Sequence, residues 1–177
     1  ALTLSLSRSQ RLPHAQELYA RGIHMATNTY ECGMLPNSLT CGGPANDASY
    51  SKETSQSAEI MLRKTKGALT FSLGAFANNV DNYIYARTLD QFDSFRLIKY
   101  TQADVEFRGL EAEVSYQFTD SISTTLFGDR TRARFANGDG DVPRIPAARF
   151  GGRANFIMGQ VDAELELYHV DRQTHIA

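Results

Sequence analysis

The sequence predicts an all-β chain of antiparallel up-and-down strands, and three of its features predict it. Seven runs alternate apolar and polar side chains with a period of two, the pattern of strands whose faces meet different surroundings. The connections between runs alternate between very short (65–67, 119–120, 159–160) and long (10–55, 86–104, 136–143). Barrels with tight turns at one end and elaborated loops at the other are built this way. The third feature is charge on the polar faces. Glu111, Glu113, Arg149, Arg153, Asp162, Glu164 and Glu166 would be strongly destabilising in the packed centre of a small barrel. That face therefore meets water, either outside a sandwich or inside a wide lumen.

The first run, Ala1–Ser9, sets Leu2, Leu4 and Leu6 against Thr3, Ser5 and Ser7. Pro13 lacks the N–H that a ladder needs, so the strand stops there and a long polar segment follows. The second run, Ala58–Lys64, opposes Ala58, Ile60 and Leu62 to Glu59, Met61 and Arg63. A third, Ala68 to about Tyr85, puts Leu69, Phe71, Leu73, Ala75 and Ala77 on one face. Tyr83 and Tyr85 continue that face as an aromatic girdle, across an interruption at Asn79 and Asp81.

The fourth run, about Val105 to Phe118, opposes Leu110, Ala112, Val114, Tyr116 and Phe118 to Glu111, Glu113, Ser115 and Gln117. In the fifth, about Ser121 to Phe135, Ile122, Thr124 and Leu126 share a face while Phe127 falls awkwardly on the polar one. The sixth, about Arg144 to Met158, sets Phe150, Gly152, Ala154, Phe156 and Met158 against Arg149, Gly151, Arg153 and Asn155. The seventh, Val161–Val170, is the clearest, with Val161, Ala163, Leu165 and Leu167 opposed to Asp162, Glu164 and Glu166.

Composition narrows the function classes. A net charge of −2 with no basic cluster gives no electrostatic case for nucleic acid. The N-terminus has no signal-peptide pattern, and no apolar run approaches the ~18 residues of a membrane helix. A barrel strand needs only about 9–11 alternating residues, so a membrane is not thereby excluded. Catalytic signatures such as G-x-S-x-G, a P-loop or a helix-opening G-x-G-x-x-G are missing, which points to binding or transport and not to an enzyme. A soluble β-sandwich for adhesion or carbohydrate binding is the alternative from another class.

Three blocks of residues carry a family resemblance. The first is Arg11-Leu12-Pro13, Glu17-Leu18-Tyr19, Gly22-x-His24-x-Ala26-Thr27 and Glu31-x-Gly33. The second is Asp81-Asn82-Tyr83-Ile84-Tyr85-Ala86, and the third Pro143-Arg144-Ile145-Pro146-Ala147-Ala148-Arg149. In order and spacing they resemble the late barrel of TonB-dependent outer-membrane receptors, nearest to the zinc-uptake (ZnuD-type) branch. The resemblance implies that residues 1–177 are part of a transmembrane β-barrel of about 22 strands, with long extracellular loops, short periplasmic turns, and a plug that this stretch lacks. It implies uptake of a scarce metal nutrient, zinc first and haem or siderophore iron as alternatives, energised through the plug by the TonB–ExbB–ExbD system. Outer-membrane lipid would be the other partner. No covalent cofactor is expected, and zinc enters as the transported ligand.

Within that frame His24 is the candidate metal ligand, because it stands in the G-x-H motif and imidazole suits zinc, copper or haem iron. Glu31 is a candidate carboxylate partner, with a cap or cross-strand contact as its competing role. His14 reads as a surface residue, His169 as a rim residue and His175 as part of a loop start. Cys32 and Cys41, in an extracellular loop of an oxidising compartment, favour a disulfide over zinc thiolates. The stretch Asn137-Gly138-Asp139-Gly140-Asp141 resembles part of a calcium loop but lacks its closing glutamate, and reads as a loop tip.

Overall fold

The computed structural model describes residues 1–35, 41 and 50–173. Its elements in chain order are β1 (Leu2–Arg11), α1 (Ala15–Tyr19), β2 (Arg21–His24), a single 3-10 turn (Met25–Thr27), β3 (Thr29–Cys32), β4 (Glu53–Lys64), β5 (Leu69–Phe92), β6 (Phe95–Thr119), β7 (Ile122–Phe135), β8 (Arg149–Met158) and β9 (Val161–Val170). Among the described residues the strands form one sheet, in the order β1-β4-β5-β6-β7-β8-β9. Strand β3 pairs with β2 and with β6. From β4 onward sequence neighbours are sheet neighbours, so the architecture is all-β and up-and-down. Among the described residues every strand belongs to this one sheet, where a sandwich would divide them between two.

The chain divides into two compact units, Ala1–Ser7 with Gln56–Asn79 and Glu106–Ala177, and Arg8–Ser55 with Val80–Val105. In the first unit the predicted alternation holds. Leu2, Leu4 and Leu6 are 67%, 68% and 74% exposed, and Leu110, Leu126, Leu165 and Leu167 are exposed likewise. The opposite face is knit by charge. Arg153 lies across from Glu166 in the β8–β9 register and meets its carboxylate at 2.7 Å. Arg149 pairs with Asp129 at 2.8 Å across β7–β8. Solvated pairs of this kind add little stability each, so their consequence is a wettable wall.

Phe127 has a physical account on that wall. It faces Gly151 across the β7–β8 ladder, and a Cβ on Gly151 would come within 2.8 Å of the Phe127 ring. The ring shares with the Leu167 carbonyl and the Tyr168 Cβ, each 2.6 Å from that point, the space a side chain would fill, and it lies beneath the guanidinium groups of Arg149 and Arg153, at 5.9 and 5.8 Å. Phe76 repeats the arrangement over Gly109, whose missing Cβ would overlap the ring. An aromatic on a polar strand face is thus matched to a cross-strand glycine.

The structure corrects several boundaries. Residues 86–104, expected as a long connection, extend β5 to Phe92 and start β6 at Phe95, with the turn made at Asp93–Ser94. Asp93 takes the left-handed conformation (φ 54°) that tight hairpins require. The sixth run starts at Arg149 instead of Arg144, because Pro146 cannot donate to a ladder and Arg144 is left-handed (φ 67°). The segment 10–55 holds α1, β2 and β3 as well as loop. Alternation through β5 breaks at Asn82 (φ 56°), whose N–H is turned to the Asp104 carboxylate at 2.8 Å. Residues 137–141 form a loop tip, with the Asn137 side chain accepting from the Asp139 N–H.

Candidate functional site

The motif-bearing segment after β1 folds by local bonding in the second unit. Pro13 ends the strand and α1 follows for five residues, too short to hold itself. Its exposed carbonyls find partners in the returning chain. Gly33 N–H donates to Ala20 O at 2.7 Å, Met34 N–H to Glu17 O at 2.8 Å and Leu35 N–H to Leu18 O at 3.0 Å. A Cβ on Gly33 would overlap the Leu18 carbonyl, so only glycine allows this approach. The E-L-Y and E-x-G blocks therefore describe one contact. Between them β2 and β3 pair antiparallel, and β3 runs parallel to β6 with Thr29–Cys32 beside Arg96–Lys99.

Arg11 is the electrostatic centre of this segment. Its guanidinium reaches Glu17 at 2.9 Å and Glu53, the first residue of β4, at 2.9 Å. The second Glu53 oxygen accepts from the Ile84 N–H at 2.9 Å, and Glu17 also accepts from the His14 N–H at 2.7 Å. Burial pushes the Glu17 carboxyl up, but the hydrogen bonds from Arg11 and His14 outweigh it and hold the group below the usual carboxylate range. One arginine thus ties the end of β1 to α1 and to β4.

His24 ends β2 with its side chain exposed. Its Nδ1 is 2.7 Å from the Thr27 hydroxyl, which is 2.7 Å from the hydroxyl of the fully buried Thr29. Glu31 is buried and accepts from the Gln16 amide at 2.8 Å. In the β2–β3 register His24 lies across from Thr29 while Glu31 lies across from Gly22. The two candidate ligands thus have separate partners, and among the described residues no three His, Cys, Asp or Glu side chains gather in a metal-binding group. Cys32 and Cys41 form the expected disulfide, buried, with Lys99 Nζ donating to the Cys41 carbonyl at 3.1 Å. By loop entropy it contributes roughly 2–3 kcal/mol.

His14 is exposed, and the His169 ring lies tilted against Phe150 with centroids 5.3 Å apart, on the apolar parity of β9. His175 lies outside the described residues. Sequence reasoning took Arg11 only as a motif residue, without its partners, and passed over Glu53. The available signal was the opposite charge of Arg11 and Glu17, six residues apart around a proline; nothing local marks Glu53.

Residues 1–173 match the family model described as TonB dependent receptor-like, beta-barrel. The chain belongs to this family. Its proteins lie in the outer membrane, so the exposed leucine rows of the first unit face lipid and the charged face is lumenal. Among solved structures, the copper transporter OprC is similar with a TM-score of 0.79 at 17% identity over 99% of this chain. The siderophore receptor PirA from Pseudomonas aeruginosa is similar with a TM-score of 0.59 at 14% identity over 94% of the chain. Likeness at these identities is likeness of fold. The chain spans 25% of the first and 30% of the second, about the share a set of neighbouring strands makes of a TonB-dependent receptor barrel.

Proposed function

We propose that these strands are one part of a closed TonB-dependent receptor barrel that takes up a scarce metal nutrient, zinc in the first instance, with energy delivered by the TonB–ExbB–ExbD system through a plug. The observation that carries the metal reading is the setting of His24. A metal-ligating imidazole is usually oriented by a hydrogen bond at its other nitrogen, and here Thr27, backed by buried Thr29, meets Nδ1. That arrangement suits Nε2 for a ligand arriving from solvent. The remaining ligands would come from elsewhere in the receptor, since zinc takes about four.

The test is zinc titration of a receptor carrying this chain, before and after His24→Ala, with copper and an iron porphyrin as competing cargoes. The zinc reading expects a loss of about tenfold or more for zinc alone, or about 1.4 kcal/mol. Unchanged zinc binding returns His24 to the loop background, and a fall in porphyrin binding alone makes haem the cargo. Glu31→Gln in the same titration separates a ligand from a buried carboxylate that serves only to accept from Gln16 and Tyr100.

A further inference from the structure

The connection from β7 to β8 has a closed base and an open tip. At the base Val142 N–H donates to Ala133 O at 3.0 Å, and Arg134 and Asp141 form a β-bridge. Residues 136–140 are all exposed. The tip carries Asn137-Gly138, the one Asn-Gly step in the chain. An asparagine side-chain amide is open to attack by the backbone nitrogen that follows it, and a side chain on that next residue hinders the approach. Gly138 has none, and nothing lies within 4 Å of where a Cβ would stand. Asn82 and Asn155 differ on both counts: they lie within β5 and β8 and precede Tyr83 and Phe156.

The turn holds the Asn137 amide in one orientation. Its Oδ1 accepts from the Asp139 N–H at 3.1 Å, and its Nδ2 donates to Asp139 Oδ2 at 2.6 Å. The first bond meets the oxygen on which negative charge develops when Cγ is attacked, so it stabilises that charge. The attacking nitrogen has a restraint, since the Gly138 N–H donates to Phe135 O at 3.1 Å. Gly138 is exposed, so water can replace this bond as the tip opens locally.

We propose that Asn137 is a site of spontaneous deamidation, and that its conversion opens the tip of this loop. Gly138 N gives its proton to water and attacks Asn137 Cγ. An N–C bond forms, the Cγ–Nδ2 bond breaks, and ammonia leaves with a proton taken from water. Water then opens the cyclic imide. Cleavage of the imide at Cγ gives aspartate, and cleavage at the main-chain carbon gives isoaspartate, with an extra carbon in the backbone. The sum is amide plus water to carboxylate plus ammonium, with no oxidation or reduction. Either product sets a carboxylate where an amide donated to Asp139, so repulsion between like charges replaces a hydrogen bond. The proposal is independent of the cargo.

The experiment ages a receptor carrying this chain in neutral detergent and follows its peptides by mass spectrometry, with isoaspartate labelled by a methyltransferase specific for it. Asn137 should convert about tenfold or more faster than Asn82 or Asn155, a barrier lower by about 1.4 kcal/mol, and faster still as pH is raised. Isoaspartate label should appear at residue 137 and be lost in N137Q, whose longer side chain disfavours the ring. In the aged receptor, hydrogen exchange at the Gly138 and Asp139 N–H groups should accelerate while that at Val142 stays slow. Freshly prepared N137D should reproduce the change. Conversion of Asn137 no faster than that of Asn82 or Asn155, or label that persists in N137Q, overturns the site. Unchanged exchange at the tip in both the aged receptor and N137D overturns the opening.

Discussion

In the unit formed by Arg8–Ser55 and Val80–Val105, polar groups are buried and bonded: Thr29 is fully buried, Glu31 is held by Gln16, and Arg11 joins two carboxylates. In the other unit the apolar groups are outside and the charges face a wet lumen. The difference follows from solvent. Where lipid covers one face, bare leucine is stable and the backbone needs only its ladder. Where the chain leaves the ladder to form a short helix and hairpin, every polar group must find a partner within the protein. A substitution should therefore act through a different mechanism in each unit.

The largest effect is expected on the lipid face. Leu165→Arg in a receptor carrying this chain places a charge in the apolar band and should cost about 2–4 kcal/mol near the bilayer midplane. Glu164→Gln, one residue away on the lumenal face, should cost well under about 1 kcal/mol, as loss of a solvated pair does. Denaturant unfolding in detergent compares them; equal costs would remove the distinction between the faces.

Next comes Arg11→Ala. It leaves the carboxylates of Glu17 and Glu53 half-desolvated without their cation, at a cost of about 2–3 kcal/mol borne by the segment after β1. Limited proteolysis of residues 12–35 should accelerate while the β7–β9 ladder remains protected from hydrogen exchange. Arg153→Ala, which removes an exposed pair, should leave the proteolysis rate unchanged. Acceleration by both variants would mean that the two networks are equivalent.

The smallest effect is that of acid. The Glu17 carboxyl lies below its usual range in the fold, so the opened segment takes up a proton more readily than the folded one. The stabilisation is complete above the ordinary carboxylate value of about 4.3 and is lost as pH falls through the lowered native value. Proteolysis of residues 12–35 should therefore be unchanged between pH ~7 and ~5 and rise below pH ~4. Glu17→Gln should remove that acid dependence.

The contrast between units is also the contrast between what could and could not be read from the residues. Period-two alternation assigned the faces of β1, β7, β8 and β9 correctly, because a strand in contact with lipid on one side must place its apolar residues there. The same rule missed residues 86–104, where β5 and β6 carry mixed polarity and the turn at Asp93–Ser94 lacks the usual glycine. Cys32 and Cys41 were legible as a pair, since two cysteines nine apart in an oxidising compartment have one economical fate. His24 was legible as a motif residue; its hydrogen bond to Thr27 was not.

By itself, then, the sequence determined the strand faces, the up-and-down order from β4 to β9, the family and the disulfide. Each depends on local chemistry: side-chain period, connection length, motif spacing and thiol oxidation. Only the tertiary structure decided that β3 runs parallel to β6, that Gly33 closes on the end of α1, that Phe127 lies over Gly151, and that Arg11 joins Glu17 to Glu53. These are contacts between residues distant in sequence or turned by a break in the backbone. Local pattern cannot specify them, because their energy exists only once the neighbouring strand has taken its place.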